Sequence, residues 1–123
     1  MVGSKVLFDT NILIDYLSGV ARARTELRRH QDRAISIITW LEVMAGAIPD
    51  EESRVRGFLA TIRTIPINAE VADLAFVLRR QTKLKLPDAI IKATAAGENR
   101  ILVTRNTRDF SSTDPSIRIP YRL

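Results

Sequence analysis

The 123-residue sequence contains no cysteine. Disulfide staples and thiolate metal sites are therefore excluded, and a cytoplasmic location is expected. It has a single histidine, His30, set in a basic polar segment where it reads as a surface residue. Two-histidine acid–base catalysis thus has no basis in the chain. No stretch approaches the roughly 18 consecutive apolar residues of a membrane helix. The opening residues lack a cleavage signal, so no secretory leader is expected. Aromatic residues are sparse at 6%, and there is no repeat, low-complexity tract or linker. With 46% hydrophobic and 27% charged residues, the composition is globular and the length predicts one domain over residues 1–123.

Acidic residues are outnumbered 14 to 19 by basic ones, giving a net charge of +5. That excess points to a polyanionic partner or to no more than a basic soluble surface. Arginine far outnumbers lysine, and its planar fork suits phosphate. The basic residues cluster: Arg22, Arg24, Arg28, Arg29 and Arg33 in one segment; Arg79, Arg80, Lys83 and Lys85 in another; Arg100, Arg105 and Arg108 late in the chain.

Strand and helix signals alternate. Val6 to Phe8 reads as a short buried strand ended by the polar triplet Asp9-Thr10-Asn11. Ile12, Leu13, Tyr16 and Leu17 follow at helical spacing, and Ser18-Gly19 stops that helix. Residues 21–32 read as an exposed helix, and Ile35 to Ile38 as a second strand. Further helices are expected from Thr39 to about Ala47, from Glu51 to Ile62, after Asn68, and after Leu86-Pro87-Asp88, the last ending just before Gly97. Ile65-Pro66-Ile67 reads as an edge strand. Ile101 to Val103 is a core strand, and Ile117 to Tyr121 a weak edge strand. The alternation predicts an α/β fold, a central parallel sheet of four to five short strands between two helical layers. In such sheets, sites form beyond the carboxyl ends of the strands.

Four acids fall at element ends on that predicted edge: Asp9 after the first strand, Glu42 after the second, Asp88 in the first turn of its helix, and Asp109 beyond the late strand in VTRNTRDF. Like charges brought together resist ionisation unless a cation compensates. A hard divalent ion with oxygen ligands does so, and magnesium pairs a few carboxylates with substrate phosphate. Each acid also has a plain structural reading. Asp9 is a good helix N-cap, Thr39 to Glu42 fits the S/T-x-x-E capping box, Asp88 complements a helix dipole, and Asp109 fits a turn. Asp15 reads as a surface residue of its helix.

The motifs FDTNILIDYL, ITWLEVMAG, LPDAIIKATA and LVTRNTRDF, in this order and across nearly the whole chain, resemble the PIN domain, and within it the VapC-type toxin ribonucleases. The resemblance implies a three-layer PIN fold. It implies a magnesium- or manganese-dependent endoribonuclease that hydrolyses RNA, such as tRNA or rRNA, and so inhibits translation as the toxin of a VapBC pair. It makes Asp9, Glu42, Asp88 and Asp109 catalytic, with Asp9, Asp88 and Asp109 as metal ligands, and Thr10, Asn11, Thr104 and Asn106 in support. Glu42 is a ligand or positions the attacking water. Many relatives have an acid where this chain has Asn106, so either Asn106 or Asp109 fills the fourth position. A VapB-type antitoxin and a homodimer follow as partners, with helices 11–17 and 51–62, and Tyr16 and Phe58 on them, as contact candidates.

Two other classes compete. A haloacid dehalogenase-like phosphatase needs D-x-D after the first strand, where this chain has Asn11 at the second position. A response-regulator receiver needs an acidic neighbour that Asp9 lacks. A non-catalytic RNA- or protein-binding PIN module would cost the chain only one ligand, which the asparagine at 106 suggests.

Overall fold

The computed structural model describes residues 5–123. Its chain order is β1 (Val6–Phe8), α1 (Thr10–Leu17), α2 (Ala21–Arg29), β2 (Arg33–Ser36), α3 (Ile37–Ala45), a 3-10 turn (Pro49–Glu51), α4 (Glu52–Leu59), β3 (Arg63–Ile65), α5 (Ala69–Gln81), α6 (Leu86–Gly97), β4 (Ile101–Val103) and β5 (Ile117–Arg118). The five strands form one sheet in the order β3-β2-β1-β4-β5, and every pairing is parallel. Six helices cover it, so the expected α/β architecture is the one observed.

Alternation within a three-residue strand feeds both layers, because successive side chains point to opposite faces. Val6 and Phe8 pack with Ile12, Leu13, Leu27, Ile35, Leu59 and Val103 on one face. Leu7 packs with Ala34, Ala89, Ile91, Leu102 and Phe110 on the other. A strand buried on both faces has no polar alternation to show, and that is why Val-Leu-Phe reads as a continuous apolar run.

The strand order places a topological switch beside β1. The chain proceeds from β1 through β2 to β3 on one side, then crosses to β4 and β5 on the other. Open parallel sheets bind ligands at the carboxyl end of such a switch. Asp9 stands there, its amide donating to the Val103 carbonyl of β4 at 2.9 Å.

The opposite edge of the sheet is closed by a buried cation. Arg100 donates to the Val6 carbonyl at 3.2 Å and to Asp32 at 2.7 Å through Nη1, and to Glu98 at 2.9 Å through Nε. Its side chain is 1% exposed, so this arginine is part of the fold and takes no part in a basic outer face.

Several boundaries differ from the sequence reading. Helix α1 begins at Thr10 because Asp9 caps it. Strand β3 ends at Ile65, before Pro66, since proline has no amide to give the ladder. It is an edge strand as expected. The expected helix over 51–62 is a 3-10 turn followed by α4, which ends at Leu59. Gly97 lies inside α6, and the left-handed residue beyond it is Asn99, with φ of 53°. The weak last strand is real but only two residues long, paired with β4.

Candidate active site

Asp9 is 4% exposed, and its carboxylate is held at both oxygens. Oδ1 accepts the Thr10 amide at 2.7 Å, which is the N-cap bond of α1. Oδ2 accepts the Thr104 hydroxyl at 2.7 Å and the Asn11 side-chain amide at 3.3 Å. Asp9 therefore caps α1 through one oxygen, while Thr104 and Asn11 hold the other. Burial pushes the carboxyl up to about 6. The hydrogen bonds from Thr104 and Thr10 oppose that rise, and the nearby charges of Asp88 and Glu42 add to it.

The capping box at Thr39 is not formed. Helix α3 begins two residues earlier, and Ser36 is its N-cap, accepting the Ile38 amide at 3.1 Å. Thr39 is fully buried in the first turn. Glu42 is thus released from capping and points to the sheet edge. Its Oε1 accepts the Thr10 hydroxyl at 2.6 Å, and Thr10 Oγ1 lies 3.0 Å from Thr39 Oγ1.

Asp88 is the third residue of α6, half-buried, after a proline at the second position. Burial raises its carboxyl above the usual range, and the charges of Asp109 and Glu42 raise it further. Lys85 and Arg108 partly offset this. Asp109 is bound to Asn106 in both directions: Asn106 Nδ2 donates to Asp109 Oδ2 at 2.9 Å, and the Asp109 amide donates to Asn106 Oδ1 at 3.2 Å. The Asn106 amide donates to Thr104 Oγ1 at 3.0 Å. Thr104 therefore links the loop after β4 to Asp9.

All eight residues singled out in the sequence meet at this edge. Each acid is held by a neighbour or feels the charge of another. The donor set is all oxygen, from carboxylates, hydroxyls and two amides, which suits magnesium or manganese better than soft metals. Among the described residues no three acids close into a preassembled metal cage. An open cluster of this kind fits an ion that keeps several of its waters.

Sequence reading missed the layer beneath the site. Asp15, expected on the surface, is buried. Arg105 binds it bidentately, and Tyr121 Oη donates to it at 2.8 Å. The Arg105 amide also donates to Asn11 Oδ1 at 3.1 Å. His30 is likewise buried. Its Nε2 lies 2.7 Å from Glu26 Oε2, and its ring meets Phe8 edge-on. The i,i+4 spacing of Glu26 and His30 was the available signal for that pair.

Oxygen donors gathered at the switch point of an open parallel sheet define a class: α/β proteins with a ligand site at the carboxyl ends of their strands. The comparisons narrow it. The PIN domain model matches residues 6–114, and the chain belongs to the PIN domain family. Ribonuclease VapC10 of Mycobacterium tuberculosis is 31% identical over 113 residues, which are 85% of this chain and 85% of that protein. A toxin-antitoxin complex from Klebsiella pneumoniae contains a chain with 46% identity and a TM-score of 0.92, covering 97% of this chain and 100% of that one. The glyceraldehyde-3-phosphate dehydrogenases of Cupriavidus necator match over 93 residues at 32% identity, which span 72% of this chain but 27% of their own length. After β1 this chain has Asp9-Thr10-Asn11 where a dinucleotide-binding fold needs a glycine-rich turn.

Proposed function

We propose that the protein is a metal-dependent endoribonuclease and the toxin of a VapBC-type pair. The observation that carries this reading is the Asp9 carboxylate at the end of β1, pushed up to about 6 by burial and then by the charges of Asp88 and Glu42. A carboxylate kept so costly to ionise is poised to gain from a cation. Similarity to VapC10 and to the Klebsiella toxin-antitoxin chain supports RNA as the substrate and an antitoxin as the partner.

Asp9, Asp88 and Asp109 would hold a magnesium or manganese ion. When bound, such an ion supplies an activated water and neutralises charge developing on the phosphate. Thr104 and Asn11 fix Asp9 in one rotamer, so its oxygens are already aimed. Asn106 fixes Asp109 in the same way, which supports reading asparagine and acid as one unit at the fourth position: Asp109 would bring the charge and Asn106 would aim it. Glu42 has one oxygen taken by Thr10. Its other oxygen is left to orient the attacking water. Hydrolysis then leaves a 5′-phosphate and a 3′-hydroxyl.

The antitoxin would cover the acid edge and the apolar groove beside it. Helices α1 and α4, the contact candidates from sequence, line that groove together with α3 through Ile14, Leu17, Val43 and Val55, around about 350 Å³. Tyr16 and Phe58 stack on each other at 4.6 Å and are committed to that contact. A homodimer and a cytoplasmic location complete the reading. No helix among the described residues is long and apolar enough to cross a membrane.

The test is cleavage of a total small-RNA pool with magnesium or manganese by wild type and Asp88→Asn. Discrete fragments from wild type alone, abolished by chelator, are expected. Equal cutting by both proteins would mean that the site is wrong. RNA binding without cutting by either would favour a non-catalytic module.

A further inference from the structure

Helix α2 has four arginines in nine residues, and two of them share a face. Positions 22, 25, 26 and 29 lie on one side of a helix by the i+3, i+4, i+7 rule. That side does not face solvent alone. It forms one wall of a cavity of about 240 Å³, and the C-terminal segment forms the other, through Arg118, Pro120 and Tyr121. The two walls therefore carry three guanidiniums: Arg22, Arg29 and Arg118.

Its single acid is already committed. Glu26 is 4% exposed and accepts Arg118 bidentately at 2.7 and 3.0 Å, with His30 against the same carboxylate. Arg118 has five N–H donors and gives two to Glu26, leaving one terminal nitrogen for another acceptor. Arg22 gives one bond to the Arg122 carbonyl at 3.0 Å, which fixes its head over the cavity and leaves the rest of its fork. Arg29 is exposed and makes no ion pair among the described residues. Arg118 and Glu26 cancel, so the cavity keeps a charge of two guanidiniums. The ligand this chemistry selects is a tetrahedral oxyanion, because arginine matches phosphate bidentately.

We propose that the cavity between α2 and the C-terminal segment is a second phosphate-binding site, which holds the backbone of an RNA strand away from the acid cluster. The proposal rests on the ribonuclease reading for its choice of RNA. Position supports it as well. Tyr121, in the cavity wall, donates to Asp15, which Arg105 joins to Asn11 and so to Asp9. A strand seated here lies on the same body that aims the cluster. The acid edge itself repels phosphate unless metal is bound, so a strand needs a grip elsewhere to arrive.

The experiment measures binding of a fluorescent single-stranded oligouridylate to chelator-treated protein across a salt series. Cleavage is thereby removed from the readout. The double variant Arg22→Gln/Arg29→Gln is compared with wild type, with Arg22→Lys/Arg29→Lys, and with Arg79→Gln/Arg80→Gln from the other basic cluster. Arg29→Gln alone serves as a check, since it leaves the Arg22 bond to the C-terminal segment intact. Each lost phosphate contact should lower the slope of log K against log salt by about 0.7 for a single strand, so the glutamine pair should lower it by about 1.4. At physiological salt that is roughly a tenfold loss of affinity. The lysine pair should keep the slope, and the Arg79/Arg80 pair should change it little. Equal losses in both glutamine pairs would mean diffuse attraction and overturn the site. An unchanged RNA slope with lost binding of an acidic partner protein would make the cavity a protein contact and overturn it too. If wild type never cuts RNA yet the slopes fall as stated, the second site stands and the nuclease reading fails.

Discussion

Arg105 closes on Asp15 through two charge-assisted hydrogen bonds, Nε to Oδ2 at 2.7 Å and Nη2 to Oδ1 at 2.9 Å. With Tyr121 on the same carboxylate, this contact joins three distant parts of the chain: helix α1, the loop that carries Asn106 and Asp109, and the C-terminal segment. Removing the charge should be felt in stability first. Asp15→Asn is expected to cost about 2 kcal/mol at pH 7, in line with hydrogen bonds to a charged group. Burial pushes the Asp15 carboxyl up, but the bonds from Arg105 and Tyr121 outweigh it and hold the group below its usual 3.8. The stabilisation is therefore full above the unfolded value and is lost as pH falls through the lower folded value. Urea unfolding should show a gap between wild type and variant at pH 7 that narrows below about pH 4. A gap that persists unchanged at acid pH would assign the contact's worth to packing.

Asp9 predicts the opposite sign. Its carboxyl is raised to about 6, so the folded chain binds that proton more tightly than the unfolded chain does. Ionisation of Asp9 works against the fold. In buffer free of divalent ions, stability should rise as pH falls from above 6 toward 4. The shift from 3.8 to about 6 sets an upper bound of roughly 3 kcal/mol. Asp9→Asn removes the titrating group, so the difference between variant and wild type should shrink over this interval. A divalent ion should raise wild-type melting most at high pH, where the cluster is ionised, and should do little for Asp9→Asn. Thermal melts at pH 5 and 8, with and without manganese, check both statements.

Thr104 is fully buried, and its hydroxyl donates 2.7 Å to Asp9. That bond favours the ionised carboxylate and is the largest influence opposing burial. Thr104→Val keeps the volume and deletes the donor. Asp9 should then protonate more readily, and the acid limb of the cleavage profile should move up by as much as about one pH unit. Thr104→Ser restores the hydroxyl and should restore the profile. A valine variant with an unmoved acid limb would detach that limb from Asp9.

Legibility followed the range of the forces involved. Strand β1 and the acid after it were readable because burial on both faces leaves a continuous apolar run and its end is abrupt. Helices α5 and α6 were readable from local capping chemistry at Asn68 and Pro87. Helix α3 was misjudged because two good caps, Ser36 and Thr39, lie three residues apart. What decides between them is long-range: Thr39 is fully buried, with its hydroxyl 3.0 Å from that of Thr10. Asp15 was unreadable for a different reason. Its partners lie 90 and 106 residues away, and a lone aspartate in a helix looks like surface until its arginine is found. Arg100 misled in the same way, since three acceptors from the far edge of the sheet bury a residue that composition assigns to a basic face.

Glu42 is the acid whose role the geometry separates most sharply from its neighbours. It is exposed, lies in the second turn of α3, and is anchored through one oxygen to Thr10. Asp9 and Asp88 are more deeply set, and each is raised by its burial and then by the charges around it. If Glu42 orients water while the aspartates hold metal, Glu42→Gln should lower kcat by about a hundredfold, the lower range for loss of a general base. The metal concentration for half-maximal activity should barely move. Asp88→Asn should show no turnover at metal concentrations that saturate wild type, and only residual turnover at much higher ones. Thr10→Val frees the Glu42 carboxylate without removing it, so a partial loss of kcat with unchanged metal dependence is expected. Titrating manganese into cleavage assays of the three variants distinguishes the roles. A large rise in the metal requirement of Glu42→Gln would make Glu42 a ligand, and the water would then have to be oriented by Asp109 or Asn106.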